Sequence, residues 1–288
     1  MNPIFLLAVS PRSGSNYLFR LLSRHPDICP TGITGEDFLL RYSDSLINHI
    51  DKVSGNWKES WGNSKQELQD CMAEGWINFL LPEKIRDDQR LITKTPMPYG
   101  AENFFRLFPK GQLLIIIRNG PDAVESYQKT FDKSFEASVN NWALGARTIL
   151  ELRKNHAALE NKSFKIVRYE DLYSNTSDSI KEIFSFLNLD PSKFDMEEAL
   201  SQGVIGSSSQ RDKGEEVSWK QEEVKSPDFD PTSRAKNWTN AERSRFDYLA
   251  GTEQAELGYS KLLERKSPLF LIQNWAKSAF IRFGLSKA

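Results

Sequence analysis

Arg12-Ser13-Gly14-Ser15-Asn16 stands between a short apolar run, Ile4 to Val9, and an apolar pattern at helical spacing, Leu18, Leu21 and Leu22. A strand, a tight turn of small residues and a helix form a geometry that binds phosphate. The N–H groups of the turn point into one concavity, and the helix N-terminus adds partial positive charge. Gly14 lets the backbone approach an anion closely. Arg12 adds a fixed charge and a bidentate fork. The nucleoside-triphosphate loop requires G-x-x-x-x-G-K-[ST], whereas this turn has one glycine and no lysine. An ordinary strand-to-helix turn would use the same residues, so the reading depends on what else reaches the same place.

Arg118 ends the clearest strand of the chain, Gln112 to Ile117. Ligands of open α/β sheets bind beyond the carboxyl ends of the strands, where Arg12 and Arg118 both fall. Ser126 follows Arg118 by eight residues, inside the next helix, and can offer a hydroxyl to the same anion. Alone, Arg118 suits a salt bridge at a strand end and Ser126 a solvent-facing helix serine. Beside the loop they read as parts of one anion site.

The elements that must position these groups alternate in type. Leu91 to Lys94 reads as a short strand stopped at Thr95-Pro96, and Phe164 to Tyr169 as another. Helices are expected over Ala101–Leu107, from Asn119-Gly120-Pro121-Asp122 onward, over Phe135–Leu159 and over Ile180–Leu187. The Gln112–Ile117 run does not alternate, which suits a parallel strand buried on both faces. The expected architecture is a three-layer α/β/α domain around a central, mostly parallel sheet. One domain over residues 1–288 is expected. Residues 29 to 36 read as a Pro/Gly/Thr-rich loop, residues 37 to 90 as a helical, irregular insertion, and residues 202 to 240 as a long mobile loop.

Composition narrows the function classes. The chain has 288 residues, 39% hydrophobic and 27% charged, with a formal net charge of -1. No global field favours nucleic acid, so any anion site is local. Two cysteines, Cys29 and Cys71, make neither a disulfide framework nor a four-cysteine zinc site, and three scattered histidines offer no metal-ligand spacing. A reducing, cytoplasmic setting is expected. The N-terminal apolar run is too short for a signal peptide or a membrane span. Residues 265–288 form an amphipathic, net-basic helix candidate bearing Trp275, Phe280 and Phe283. It suits peripheral contact with a membrane surface, packing on its own domain, or a partner.

Taken together, Pro11-Arg-Ser-Gly-Ser15, Lys94-Thr-Pro96, Arg118-Asn-Gly-Pro-Asp-Ala-Val-Glu-Ser126 and Arg168-Tyr-Glu-Asp-Leu172 occur in an order that resembles the sulfotransferases using 3′-phosphoadenylyl sulfate (PAPS). The resemblance spans roughly residues 3 to 260 and includes Gly258-Tyr259. It implies that Arg12, Ser13, Gly14, Ser15 and Asn16 bind the 5′-phosphosulfate, and that Arg118 and Ser126 bind the 3′-phosphate. Ser233-Arg-Ala-Lys-Asn-Trp238 resembles the late loop that folds over the nucleotide, which brings Arg234 and Lys236 toward phosphate and Trp238 toward the adenine or the core.

The activity so implied is in-line transfer of a sulfuryl group from PAPS to an acceptor hydroxyl. Positioning and charge stabilisation carry such a reaction, with Arg12 and Lys94 as the stabilising charges and no metal. An acceptor hydroxyl also needs a base. Cytosolic members carry a histidine shortly after the position of Lys94, where this chain has Thr95 and Pro96. The site pattern is nearer to the tyrosylprotein and trehalose-type branches, whose base is a glutamate after the first helix. Glu36 matches that location and Asp37 is the fallback. A helix cap is the other reading of Glu36. His25 is expected to close the first helix, and Asp171 to be structural. The acceptor's class, whether carbohydrate, tyrosine, lipid or small molecule, is open at this level. A P-loop-type kinase would need a Walker lysine and an acidic Mg²⁺ ligand at a strand end. A non-catalytic nucleotide-binding protein would be expected to lack Arg12, Lys94 or the carboxylates.

Overall fold

The computed structural model describes residues 2–33, 35–201, 205–207, 222–224, 230, 232–263, 272 and 274–278. Strands β1 (Ile4–Ala8), β2 (Ile28–Pro30), β3 (Arg90–Thr95), β4 (Gln112–Ile117) and β5 (Phe164–Arg168) form one five-stranded sheet in the order β2-β3-β1-β4-β5. Every neighbouring pair in it is parallel. Helices α1 (Ser15–Leu22), α2 (Ser43–Ser54), α3 (Lys65–Leu80), α4 (Phe104–Leu107), α5 (Gly120–Phe131), α6 (Phe135–Asn155), α7 (Tyr169–Ser174), α8 (Thr176–Leu187), α9 (Met196–Ser201) and α10 (Asn240–Glu256) surround it. Ile205–Ser207 (β6) and Glu222–Val224 (β7) make a separate antiparallel pair.

The apolar runs that do not alternate in polarity are buried on both faces, as parallel strands require. Phe5, Leu7, Leu113 and Ile115 face one layer, which includes Phe104, Trp142, Ile149 and Phe246. Ile4, Leu6, Ile92, Leu114 and Ile116 face the other, with Leu18, Leu22, Ile180 and Phe184. The architecture is thus the expected three-layer α/β/α. β1 lies between β3 and β4. From β1 the chain passes to β2 on one side, and from β3 it crosses over β1 to β4 on the other, which opens a crevice beyond the carboxyl ends of these strands.

Some local expectations are revised. Ile28–Pro30 is an edge strand that overlaps the start of the stretch read as loop. It exists through its pairing with β3, a tertiary effect that three residues ending in proline do not announce. α7 follows β5 directly and was not expected. The helix expected to reach Leu159 stops at Asn155, and a short 3-10 turn covers Ala157–Leu159. Most of the expected 202–240 loop lies outside the described residues, but Arg234–Asn237 is a 3-10 turn leading into α10. Of the C-terminal amphipathic stretch, residues 274–278 are described and helical, while Phe280 and Phe283 lie outside the described residues. Asn274 is tied to the domain by its carbonyl, which accepts from Arg245 at 2.8 Å. Among the described residues no helix is long and apolar enough to cross a membrane.

α6 crosses close over the end of β1. A Cβ built on Gly145 would run into the Val9 carbonyl oxygen. The substitution Gly145→Ala is therefore expected to push α6 off the sheet and lower stability by about 1–3 kcal/mol, the usual cost of overpacking. Urea unfolding of the two proteins measures it.

Candidate active site

Leaving β1, the chain turns through two left-handed residues, Arg12 at φ 73° and Gly14 at φ 96°. Gly14 has a second constraint besides its dihedral. A Cβ there would enter the ring of Tyr169. The hydroxyls of Ser10 and Ser13 meet at 3.3 Å inside the turn, and Ser13 and Ser15 are buried. α1 then begins at Ser15 with no side-chain cap. Its first-turn N–H groups are donors that the helix itself does not satisfy.

Three guanidinium groups converge on this turn. Arg118 is buried at the end of β4, and its Nη1 donates to the Arg12 carbonyl at 2.8 Å. The Arg118 guanidinium lies 4.7 Å from the centre of the Tyr169 ring. Arg12 Nε donates to Ser126 Oγ at 3.3 Å. Burial, followed by the charges of Arg234 and Arg118, pushes the Arg12 guanidinium down to about 10, so it remains cationic at neutral pH. Burial and Arg118 lower Arg234 in the same way. Burial pushes the Tyr169 phenol up to about 12, with Arg118 opposing, so the ring stays neutral beneath the cations.

The register explains the convergence, because Arg12, Arg118 and Tyr169 each follow the carboxyl end of a neighbouring strand, β1, β4 or β5. Arg234 arrives from far along the chain and is held by Asp122. Asp122 Oδ1 accepts from Ala235 N at 3.1 Å, and its Oδ2 from Asn119 Nδ2 at 2.6 Å. This carboxylate, buried in the first turn of α5, pins the 3-10 turn that bears Arg234.

A carboxylate and an ammonium meet at the end of β3. Lys94 Nζ donates to Glu36 Oε1 at 3.1 Å, and both side chains are mostly buried. Asp37 is occupied differently. It accepts from Thr93 Oγ1 at 2.5 Å, from Thr95 Oγ1 at 3.2 Å and from Leu39 N at 2.8 Å. Burial raises its carboxyl above the usual range, although these hydrogen bonds and Lys94 oppose the shift. Asp37 thus fastens the loop to β3 and turns Glu36 toward Lys94. The 3-10 turn Leu40–Tyr42 that follows has no side-chain cap, so Glu36 does not act as one, and Asp37 closes the loop through Leu39 N.

The site is therefore a cationic cradle around an uncapped helix N-terminus, with an ion pair one strand away. A family model described as "Sulfotransferase family" matches residues 3–193. The chain belongs to the sulfotransferase family. Among solved structures it is similar to a sulfotransferase from Alicyclobacillus acidocaldarius, 14% identical with a TM-score of 0.52, over 94% of this chain and 99% of that one. The sulfotransferase domain of the Synechococcus PCC 7002 olefin synthase is 19% identical with a TM-score of 0.49, over 96% and 94%. A mouse sulfotransferase complexed with PAP is 15% identical with a TM-score of 0.47, over 90% and 89%. The first of these likenesses shows a shared fold. No curated protein sequence matches the chain.

Not every expected site residue of this sulfotransferase reaches the cradle. Lys236 is exposed on the Arg234 turn, and its charge acts on Asp230. Trp238 packs in the core against Phe135 and Phe246, and its indole N–H donates to Glu125 at 2.9 Å. His25 closes α1 as expected: its backbone N–H donates to Leu22 O, and its ring accepts from Asp27 N at 3.1 Å. In the Tyr169–Leu172 motif the organising carboxylate is Glu170, while Asp171 is exposed beside Arg168. Glu170 accepts from Asn119 N and from the Tyr259 hydroxyl, both at 2.8 Å. Tyr169, Asp122, Glu170, Thr93 and Thr95 were missed as site-builders. Their only sequence signal is their place within the motifs or, for Thr93, beside one.

Replacing Asp122 with alanine removes the acceptor that holds the Arg234 turn. The expected result is faster hydrogen exchange at the Ala235 amide and a loss of about 1–3 kcal/mol in urea unfolding, the cost of leaving buried donors unsatisfied.

Proposed function

We propose that this sulfotransferase draws its sulfuryl group from PAPS and passes it to an acceptor hydroxyl. The observation that carries this reading is the convergence of Arg12, Arg118 and Arg234 with Ser126 beside the uncapped N-terminus of α1. Like charges packed together in a half-buried place repel one another. A polyanion offsets that repulsion, and a donor with two separate phosphate positions matches a cradle with two parts. Backbone N–H groups of Ser13 to Asn16 and the Arg12 fork would hold the 5′-phosphosulfate. Arg118, Ser126 and Arg234 would hold the 3′-phosphate, with the exposed Lys236 contributing long-range charge.

In the transfer, the acceptor oxygen forms a bond to sulfur while the bond from sulfur to the bridging phosphate oxygen breaks. The acceptor proton goes to Glu36, and the electron pair stays on the departing phosphate. Arg12 and Lys94 offset the negative charge that gathers on the sulfuryl and leaving-group oxygens. The Lys94–Glu36 contact supports this assignment, because it orients a carboxylate beside the cation that faces the reacting centre. Asp37, with its acceptor positions taken, supports the loop.

Calorimetric titration with 3′-phosphoadenosine 5′-phosphate (PAP), with ATP plus Mg²⁺ as control, tests the reading. Binding of the bisphosphate without added metal is expected. Preference for ATP with Mg²⁺, or no nucleotide binding, would overturn it. Arg118→Ala should weaken PAP binding by roughly ten- to a hundredfold, the loss of one or more charge-assisted hydrogen bonds. Ser126→Ala, which leaves the charge in place, should lose less.

Glu36→Gln should keep PAP affinity and lose acceptor sulfation. Full turnover in that variant would remove the base assignment.

A further inference from the structure

Beyond Glu36 and Lys94, the two segments that carry them run outward together. Phe38 N donates to Thr95 Oγ1 at 3.2 Å, and Asn103 Nδ2 to Ser43 Oγ at 2.8 Å. On this seam lies the 3-10 turn Leu40–Tyr42. Arg41 follows Glu36 by five residues, Tyr99 follows Lys94 by five, and Tyr127 follows Ser126 directly. The Arg41 guanidinium lies 5.4 Å from the Tyr42 ring centre and 5.8 Å from that of Tyr99. Its Nη1 donates to the Met97 sulfur at 3.1 Å. Burial raises the Tyr99 phenol, with the Arg41 charge opposing and Tyr127 adding to the rise.

Arg41 differs from the other exposed arginines in what surrounds it. Among the described residues no carboxylate comes within ion-pair distance of it. The closest acid in sequence, Asp44, accepts from Asn103 Nδ2 at 2.7 Å instead. Two aromatic rings and a thioether hold the guanidinium in place, and a thioether is a weak acceptor. The fork therefore keeps strong donors to give, and a bidentate fork matches a carboxylate. Tyr42 leaves 64% of its surface exposed, a ring face open for stacking.

We propose that Arg41, framed by Tyr42 and Tyr99, reads a carboxylate on the acceptor. The acceptor class is then a hydroxyl compound that carries a carboxylate beside a ring face, either a phenolic acid or a uronic-acid sugar. The inference rests on the sulfotransferase reading above, because it places the acceptor on the Glu36–Lys94 side of the cradle.

The test uses the full chain saturated with PAP for binding, or with PAPS for transfer, and two matched pairs of probes. One pair is 4-hydroxyphenylacetate and 4-hydroxyphenylacetamide, and the other is methyl glucuronoside and methyl glucoside. In the unaltered protein one acidic member is expected to exceed its neutral partner by about tenfold or more in affinity or kcat/KM, as a charge-assisted contact allows. The pair that shows the preference identifies the source. In Arg41→Gln the acid-to-neutral ratio should fall toward one, while PAP binding reports that the variant is folded. Arg41→Lys should recover part of the ratio, keeping the charge without the fork. Equal treatment of acid and amide, an unchanged ratio in Arg41→Gln, or no binding of either pair to a protein that does bind PAP would overturn the proposal alone. Failure to bind PAP would overturn the sulfotransferase reading beneath it.

Discussion

Arg118 is a cation buried at the end of strand β4, and the rest of the site is arranged around that fact. A buried guanidinium costs several kcal/mol unless its charge and its N–H groups are met. Here the Arg12 carbonyl takes one N–H, and the Tyr169 ring lies within cation–π distance. The Arg118 carbonyl in turn accepts from the Trp142 indole at 3.2 Å. These contacts also shape the loop. Arg12 presents its carbonyl from a left-handed conformation, and Gly14 lies where Tyr169 leaves no room for a Cβ. The anion-binding turn and the buried cation are therefore a single construction.

The same economy of contacts fixes the remaining groups. Glu170 receives the Asn119 amide and the Tyr259 hydroxyl, and Gln254 Oε1 accepts from Gly120 N at 3.0 Å. Burial and the Glu170 carboxylate raise the Tyr259 phenol far above its ordinary value, which keeps it a donor. The start of α5 is thus clamped from α7 and from α10, and with it Ser126 and Asp122. On the other side of β1, Asp37 uses its oxygens on Thr93, Thr95 and Leu39. That leaves Glu36 as the carboxylate facing Lys94. Two adjacent acids differ in role because one is saturated with donors and the other meets a cation.

Family membership and a shared fold at 14% identity are consistent with this economy. Arg12 after β1, Lys94 on β3 and Arg118 after β4 occupy neighbouring strand ends because the sheet order places β1 between the other two.

Read alone, the sequence determined the class of fold and the identity of the cationic groups. Apolar runs such as Gln112–Ile117 announce two-sided burial by their lack of alternation, and Arg12, Lys94 and Arg118 are legible because each interrupts such a pattern at a strand end. Short-range periodicity carries that much. It does not carry pairing, so β2, which exists through its bonds to β3, was invisible. It also does not carry partners distant in the chain. That Asp122 holds Ala235, and with it the Arg234 turn, across 113 residues, that Tyr169 lies beneath both Gly14 and Arg118, and that Glu36 and not Asp37 meets Lys94 were decided by tertiary structure alone. Hydrogen-bond saturation and close packing are properties of surroundings, and surroundings exist only once the chain has folded.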